Sequence, residues 1–229
     1  MFPLRDENPS LTVPFVTRAL IAINVAVFLY EIALGAELRP FLFQWSFVPV
    51  RLTLALDGRT ETAGAAATLL TSMFMHGGWL HLIGNMWYLW IFGDNIEDRF
   101  GHLRFLLFYL TAGLAAGLLH YAANTGSQLP TVGASGAIAG VLGAYAAAFP
   151  RARVVTLLPI FPFFQIVALP ALLVLGVWFV FQFVSGALSG GAGGGVAWWA
   201  HIGGFLFGFL LTRLLSPGRR APSRAWVEP

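Results

Sequence analysis

Six long apolar runs, with most ionisable residues pushed into the connectors between them, constrain this chain more than any other feature. They cover Val16–Leu34, Leu69–Phe92, Arg104–Ala122, Ala134–Phe149, Phe163–Val184 and Val196–Leu215. About 20 apolar residues at 1.5 Å each cross a hydrocarbon core of about 30 Å. Backbone N–H and C=O groups find no water there, so each run must bond them internally as helix. The pattern predicts an all-α, polytopic membrane protein, a bundle of six transmembrane helices. Its composition agrees: 58% of residues are hydrophobic and 10% charged, far from the average of soluble domains.

The arginines orient this bundle. There is no Lys. Placing the N-terminus in the cytoplasm puts Arg5, Arg18, Arg99, Arg104, Arg151, Arg153, Arg213, Arg219, Arg220 and Arg224 inside. Only Arg39, Arg51 and Arg59 then fall outside, all in the first loop, as the positive-inside rule requires. Both termini read as cytoplasmic: a tail over 1–15, a membrane domain over 16–215 and a second tail over 216–229. The net charge of +3 is spread over ends and loops, which excludes the concentrated basic face of a nucleic-acid binder. The chain has no Cys, so disulfides, thiol catalysis and thiolate metal sites are excluded. Met1 to Thr17 is polar and lacks a small-residue cleavage signature, so the first apolar run is expected to stay as an anchor. The lack of Cys, Lys and a transit-like leader, with the short length, fits a bacterial inner membrane better than an organelle.

Within this frame the fourth run is anomalous. It opens Gly133-Ala-Ser135-Gly136 and ends at Phe149-Pro150, too short at about 22 Å to cross the core alone. Ser135 would then start a helix below the membrane surface, where free N–H groups need protein or a water-filled cavity. The sixth run carries His201, with Gly204 and Gly208 on the same stripe; the fourth carries Gly136, Gly140 and Gly143. Small residues at such spacing let helix backbones approach closely, which would set imidazole against hydroxyl. A serine hydroxyl becomes a nucleophile when a neighbouring base takes its proton. No acidic residue falls at this depth, so the expectation is a Ser–His dyad. His81 and Asn85, four apart, share one face of the second run; with the Ser135 amide they could hold an oxyanion.

Taken singly, each motif also reads as plain packing, and two histidines on separate spans also read as metal ligands, though a third ligand is wanting. His76 is placed on another face, at the water boundary, and His102 and His120 are read as structural. Gln44 to Leu52 reads as either an interfacial segment or a folded surface loop. The turn Gly93–Gly101 reads as a short amphipathic helix closed by Gly101, and Pro170 as a kink or as the true start of the fifth helix. The Gly-rich stretch Ser185–Gly195 reads as a slack linker or as a lid over His201.

The ordered set His81-x-x-x-Asn85, Gly133-Ala-Ser-Gly136 and Ala200-His201-x-x-Gly204-x-x-x-Gly208 resembles the rhomboid intramembrane serine proteases, over about Val16 to Leu215. His76 ahead of His81 and the Glu97-x-x-x-Gly101 turn add to the likeness. The resemblance implies Ser135 as nucleophile, His201 as general base and then acid, and His81, Asn85 and the Ser135 amide as oxyanion hole. It also implies Gly204 and Gly208 as packing residues and a structural Glu97. It implies single-span membrane proteins as substrates, cut near the outer surface after small and before helix-breaking residues, with no metal or cofactor. The adjacent Trp-Arg pair of many members is absent, since Trp45 and Arg51 are separated. Two other readings are a catalytically dead relative that only binds membrane clients, and a small transporter or channel. Filled catalytic positions speak against the first, and the lack of a repeat against the second.

Overall fold

The structure, a computed structural model, describes residues 1–160, 162–188 and 196–215. Its frame is six helices: α1 (Phe15–Ala33), α5 (Trp79–Phe100), α6 (His102–Ala123), α7 (Ser135–Ala148), α8 (Ala171–Leu188) and α9 (Trp198–Leu215). Three shorter helices, α2 (Leu38–Trp45), α3 (Pro49–Leu56) and α4 (Thr62–Thr71), fill the chain between α1 and α5. The protein is a polytopic helical membrane protein. Four of its helices, α1, α6, α8 and α9, are long and apolar enough to cross a membrane on those criteria alone. Helix α7 has only 14 residues, and α5 interrupts its apolar run with His81, Asn85, Asp94 and Asn95. Apolar side chains on the outside of the bundle, such as Leu80, Ile83 and Trp90 on α5, are exposed and form its lipid-facing surface.

Helix α7 is the axis of the molecule, every residue from Gly136 to Ala146 being buried. Its Gly/Ala composition lets the neighbours come close. A Cβ on Gly204 would run into the carbonyl of Gly136, and one on Gly208 into the carbonyl of Gly140. The complementary stripe behaves alike, since a Cβ on Gly143 would collide with the carbonyl of Phe205. On the other side, Ala112 and Ala116 of α6 stand within 2.5 and 2.7 Å of where side chains on Gly140 and Gly136 would begin. The α7–α9 contact is therefore backbone against backbone.

Four segments differ from their sequence-based reading. The run from Leu69 to Phe92 is broken: α4 ends at Thr71, and α5 begins only after Gly77-Gly78. The turn Gly93–Gly101 is no separate helix, because α5 continues through Phe100 and closes on Gly101 at φ +79°. The fifth helix starts at Ala171 and not at Phe163, since Pro170 cannot donate within a helix. The residues before it form strands β2 (Arg153–Ile160) and β3 (Phe163–Pro170), paired antiparallel from Arg153↔Pro170 to Ile160↔Phe163. Strand β1 (Phe2–Asp6), read as part of a tail, joins the other edge of β2, so a three-stranded sheet of order β1-β2-β3 is added to the helices. The proposed C-terminal tail over 216–229, and residues 189–195 of the Gly-rich stretch, lie outside the described residues.

The ends of the bundle are tied by polar contacts. Glu97 of α5 receives the N–H groups of Val16 and Thr17 at 2.9 and 2.7 Å and the Thr17 hydroxyl at 2.7 Å. It thereby caps α1, whose own N-cap residue, Pro14, supplies no side-chain bond. His102 closes on the same carboxylate at 2.6 Å, so Glu97 and His102 are structural, as expected.

Candidate active site

Gly133 turns the chain into α7 at φ +125°, a conformation residues with a side chain rarely adopt. The segment before it is fastened to the first loop. Thr131 and Phe47 exchange backbone bonds of 2.7 and 3.1 Å, and Gly133 N–H donates to Ser72 O at 2.9 Å. Val50 N–H also reaches Ser127 O at 3.0 Å. The first loop is thus a folded brace of α2 and α3 against 124–133, with Arg51 donating to Phe43 O and stacked on the Phe43 ring. His120 bonds Thr131 Oγ1 at 3.1 Å, a structural role in the same brace.

On this support Ser135 stands at the first turn of α7, and His201 at the start of α9. Ser135 Oγ lies 2.8 Å from His201 Nε2. The backbone contacts at Gly204 and Gly208 explain why: with a larger residue at either, α9 could not sit close enough for the ring to reach the hydroxyl. Trp178 of α8 and Trp198 flank the imidazole, with centroids 5.9 and 6.3 Å away. Gln182, also of α8 and only 6% exposed, places Oε1 2.8 Å from His201 Nδ1.

His81 and Asn85 face the same place from α5. A Cβ on Gly133 would start 2.7 Å from His81 Nε2 and 3.6 Å from Asn85 Nδ2, so this glycine leaves room for both. His81 Nδ1 accepts from Gly77 N–H at 3.3 Å, which puts the ring proton on Nε2, facing Gly133. Asn85 Nδ2 is buried and has no hydrogen-bond partner, and a buried donor left unmade is costly unless a ligand uses it. The first N–H groups of α7 likewise lack an intrahelical acceptor. Three sources of donors therefore converge beside the serine. His76, expected at the water boundary, is instead buried at 3% exposure, because its N–H turns inward to Glu31 at 3.3 Å. Its ring packs edgewise on His81, with centroids 5.1 Å apart, and backs that side chain.

Ser135, His201, His81, Asn85, Trp178 and Gln182 line one cavity of about 630 Å³, which also touches Tyr88, Leu129 and Trp198. Residues of the 124–134 loop form part of its wall, on the side where α5 and α9 begin. Among the described residues, no group of three His, Cys, Asp or Glu is gathered for a metal ion. Sequence reasoning named Ser135, His201, His81, Asn85, Gly133, Gly136, Gly204 and Gly208; the structure gathers the first five at one place and sets Gly204 and Gly208 against Gly136 and Gly140 behind it. It did not name Gln182, Trp178 or the Phe47–Thr131 brace. A glutamine within the fifth apolar run, whose other amide is Gln165, was the available signal for Gln182.

A helical membrane bundle with a hydroxyl–imidazole pair at the buried start of a short central helix is the class that fold and site define. The chain belongs to the rhomboid family: the Rhomboid domain model matches residues 63–218. Among curated relatives, the mouse presenilin-associated rhomboid-like protein, mitochondrial, is 34% identical over 146 residues, 61% of this chain and 36% of that protein. Rhomboid protein 1, mitochondrial, of Saccharomyces cerevisiae is 31% identical over 201 residues, 84% of this chain and 51% of its own. RHOMBOID-like protein 5 of Arabidopsis thaliana is 37% identical over 90 residues, 39% of this chain and 29% of its own. The chain spans about a third to a half of the length of these relatives.

Proposed function

We propose that this protein is an intramembrane serine endopeptidase that cleaves single-span or otherwise membrane-anchored proteins. The observation that carries this reading is the 2.8 Å approach of Ser135 Oγ to His201 Nε2 beside an unpartnered Asn85 amide. His201 takes the hydroxyl proton as Oγ attacks the scissile carbonyl carbon. The carbonyl oxygen becomes an oxyanion, held by His81 Nε2–H, Asn85 Nδ2–H and the Ser135 amide. His201 then gives its proton to the leaving amine, and an acyl-enzyme remains. Water entering by the cavity loses a proton to His201 and releases the acid, restoring Ser135. The substrate class, including a small residue before the cut and helix-breaking residues after it, follows from the family resemblance.

The reading also places both termini in the cytoplasm and the enzyme in a bacterial plasma membrane, on the arginine asymmetry and the composition; the mitochondrial names belong to the relatives. A fluorophosphonate probe tests the chemistry. It should label the wild type in lipid and fail on Ser135→Ala and His201→Ala. Asn85→Ala should lower kcat by about 10²-fold, the usual loss of one oxyanion donor. A wild type that resists the probe and leaves a panel of single-span substrates uncut would favour a client-binding relative without activity.

A further inference from the structure

Gln182 has no part in proton transfer to the serine, yet its carbonyl oxygen lies 2.8 Å from the ring nitrogen of His201 that faces away from Ser135. We propose that Gln182 is a positioning residue that fixes the tautomer and plane of His201, and so makes α8 part of the catalytic machinery. This rests on the protease reading given above.

The chemistry leaves one arrangement. A carbonyl oxygen only accepts, so the hydrogen of the neutral ring must sit on Nδ1 and point at Gln182. Nε2 then presents its lone pair to the Ser135 hydroxyl, the one state in which the imidazole can take that proton. Without an acceptor at Nδ1, the ring proton is free to sit on Nε2, where it would donate to Ser135 Oγ and block proton removal. In triad hydrolases a carboxylate holds that nitrogen. Here no carboxylate among the described residues lines the cavity, and a buried amide takes the place without adding a buried charge.

The location of Gln182 gives the contact a second effect. It sits one turn beyond Trp178 on α8, and Trp178 packs its ring along the same imidazole at 35°. Both restraints on the far side of His201 thus come from α8, whereas Ser135 belongs to α7 and His201 to α9. Helix α8 is the less deeply buried of these neighbours, with many of its side chains exposed to lipid.

Three variants test this: Gln182→Leu, which keeps the bulk and loses the acceptor, Gln182→Glu, which keeps only acceptors, and Gln182→Asn, which shortens the reach. Cleavage kinetics in proteoliposomes should show Gln182→Leu losing at least about tenfold in kcat with KM within twofold. Gln182→Glu should recover most of that loss and Gln182→Asn little. The ring-nitrogen NMR shifts of His201, in protein labelled with ¹⁵N-histidine and assigned with His201→Ala, give a readout independent of turnover. The wild type should carry its proton on Nδ1, and Gln182→Leu should move it toward Nε2. A Gln182→Leu protein with unchanged kcat, or with an unmoved tautomer, would overturn the proposal. A wild type inert to probe and substrate would sink the protease reading alone, with the NMR spectra still deciding the tautomer.

Discussion

At the scale of single residues, buried carboxyls decide how the molecule responds to pH. Asp6 accepts a 2.6 Å bond from Tyr145 on α7, and burial pushes its carboxyl up to about 7, with Asp94 adding to the effect. The folded state therefore holds this proton more tightly than the unfolded chain does. Stability is greatest below the unfolded value of about 4, falls as pH climbs from there to about 7, and stays low above it. Asp6→Asn, a neutral isostere, should raise the thermal midpoint in detergent at pH 8 and leave it nearly unchanged at pH 4. An equal shift at both would mean that the charge is not responsible. The legibility of residues varied for physical reasons. Ser135 and His201 were readable because each opens an apolar run beside glycines and the two occur together with His81 and Asn85, a joint set that packing alone seldom needs. Gln182 was not, because its partner lies 19 positions away on another helix, and one amide in an apolar run leaves no periodic trace.

At the scale of elements, the α7–α9 contact sets the geometry of the catalytic pair. Gly208→Val should drive a side chain into the Gly140 carbonyl and part the helices, costing about 1–3 kcal/mol by overpacking. Fluorophosphonate labelling should fall with it, since the ring of His201 moves with its helix. Gly176→Ala on α8 meets nothing within 4 Å and serves as the control, neutral or stabilising by up to about 1 kcal/mol. A thermal midpoint for Gly208→Val equal to that of the control would contradict the backbone contact. The helices themselves were legible because hydrocarbon leaves the backbone few choices. Their ends were less so. The run after Pro162 is apolar whether it is helix or strand, so hydropathy could not reveal the β2–β3 hairpin, and only Pro170 hinted at the boundary. The first loop gave away little, because its bonds to the 124–133 segment are backbone to backbone and write nothing into side-chain identity.

At the scale of the whole molecule, the arginine asymmetry makes a topological prediction that the absence of Cys renders easy to check. A single cysteine at Ser127, in the loop beside the cavity mouth, should react with a membrane-impermeant maleimide on intact cells. One at Arg151, between α7 and β2, should react only after lysis. The reverse pattern would invert the protein in its membrane. The strand at the N-terminus carries a different consequence. Phe2–Asp6 is made before α1, yet its partners, Val154 to Leu157, follow α7. During synthesis this segment must wait unpaired until four of the six long helices, α1, α5, α6 and α7, have been made, so a late stitch joins residues made before α1 to residues made after α7.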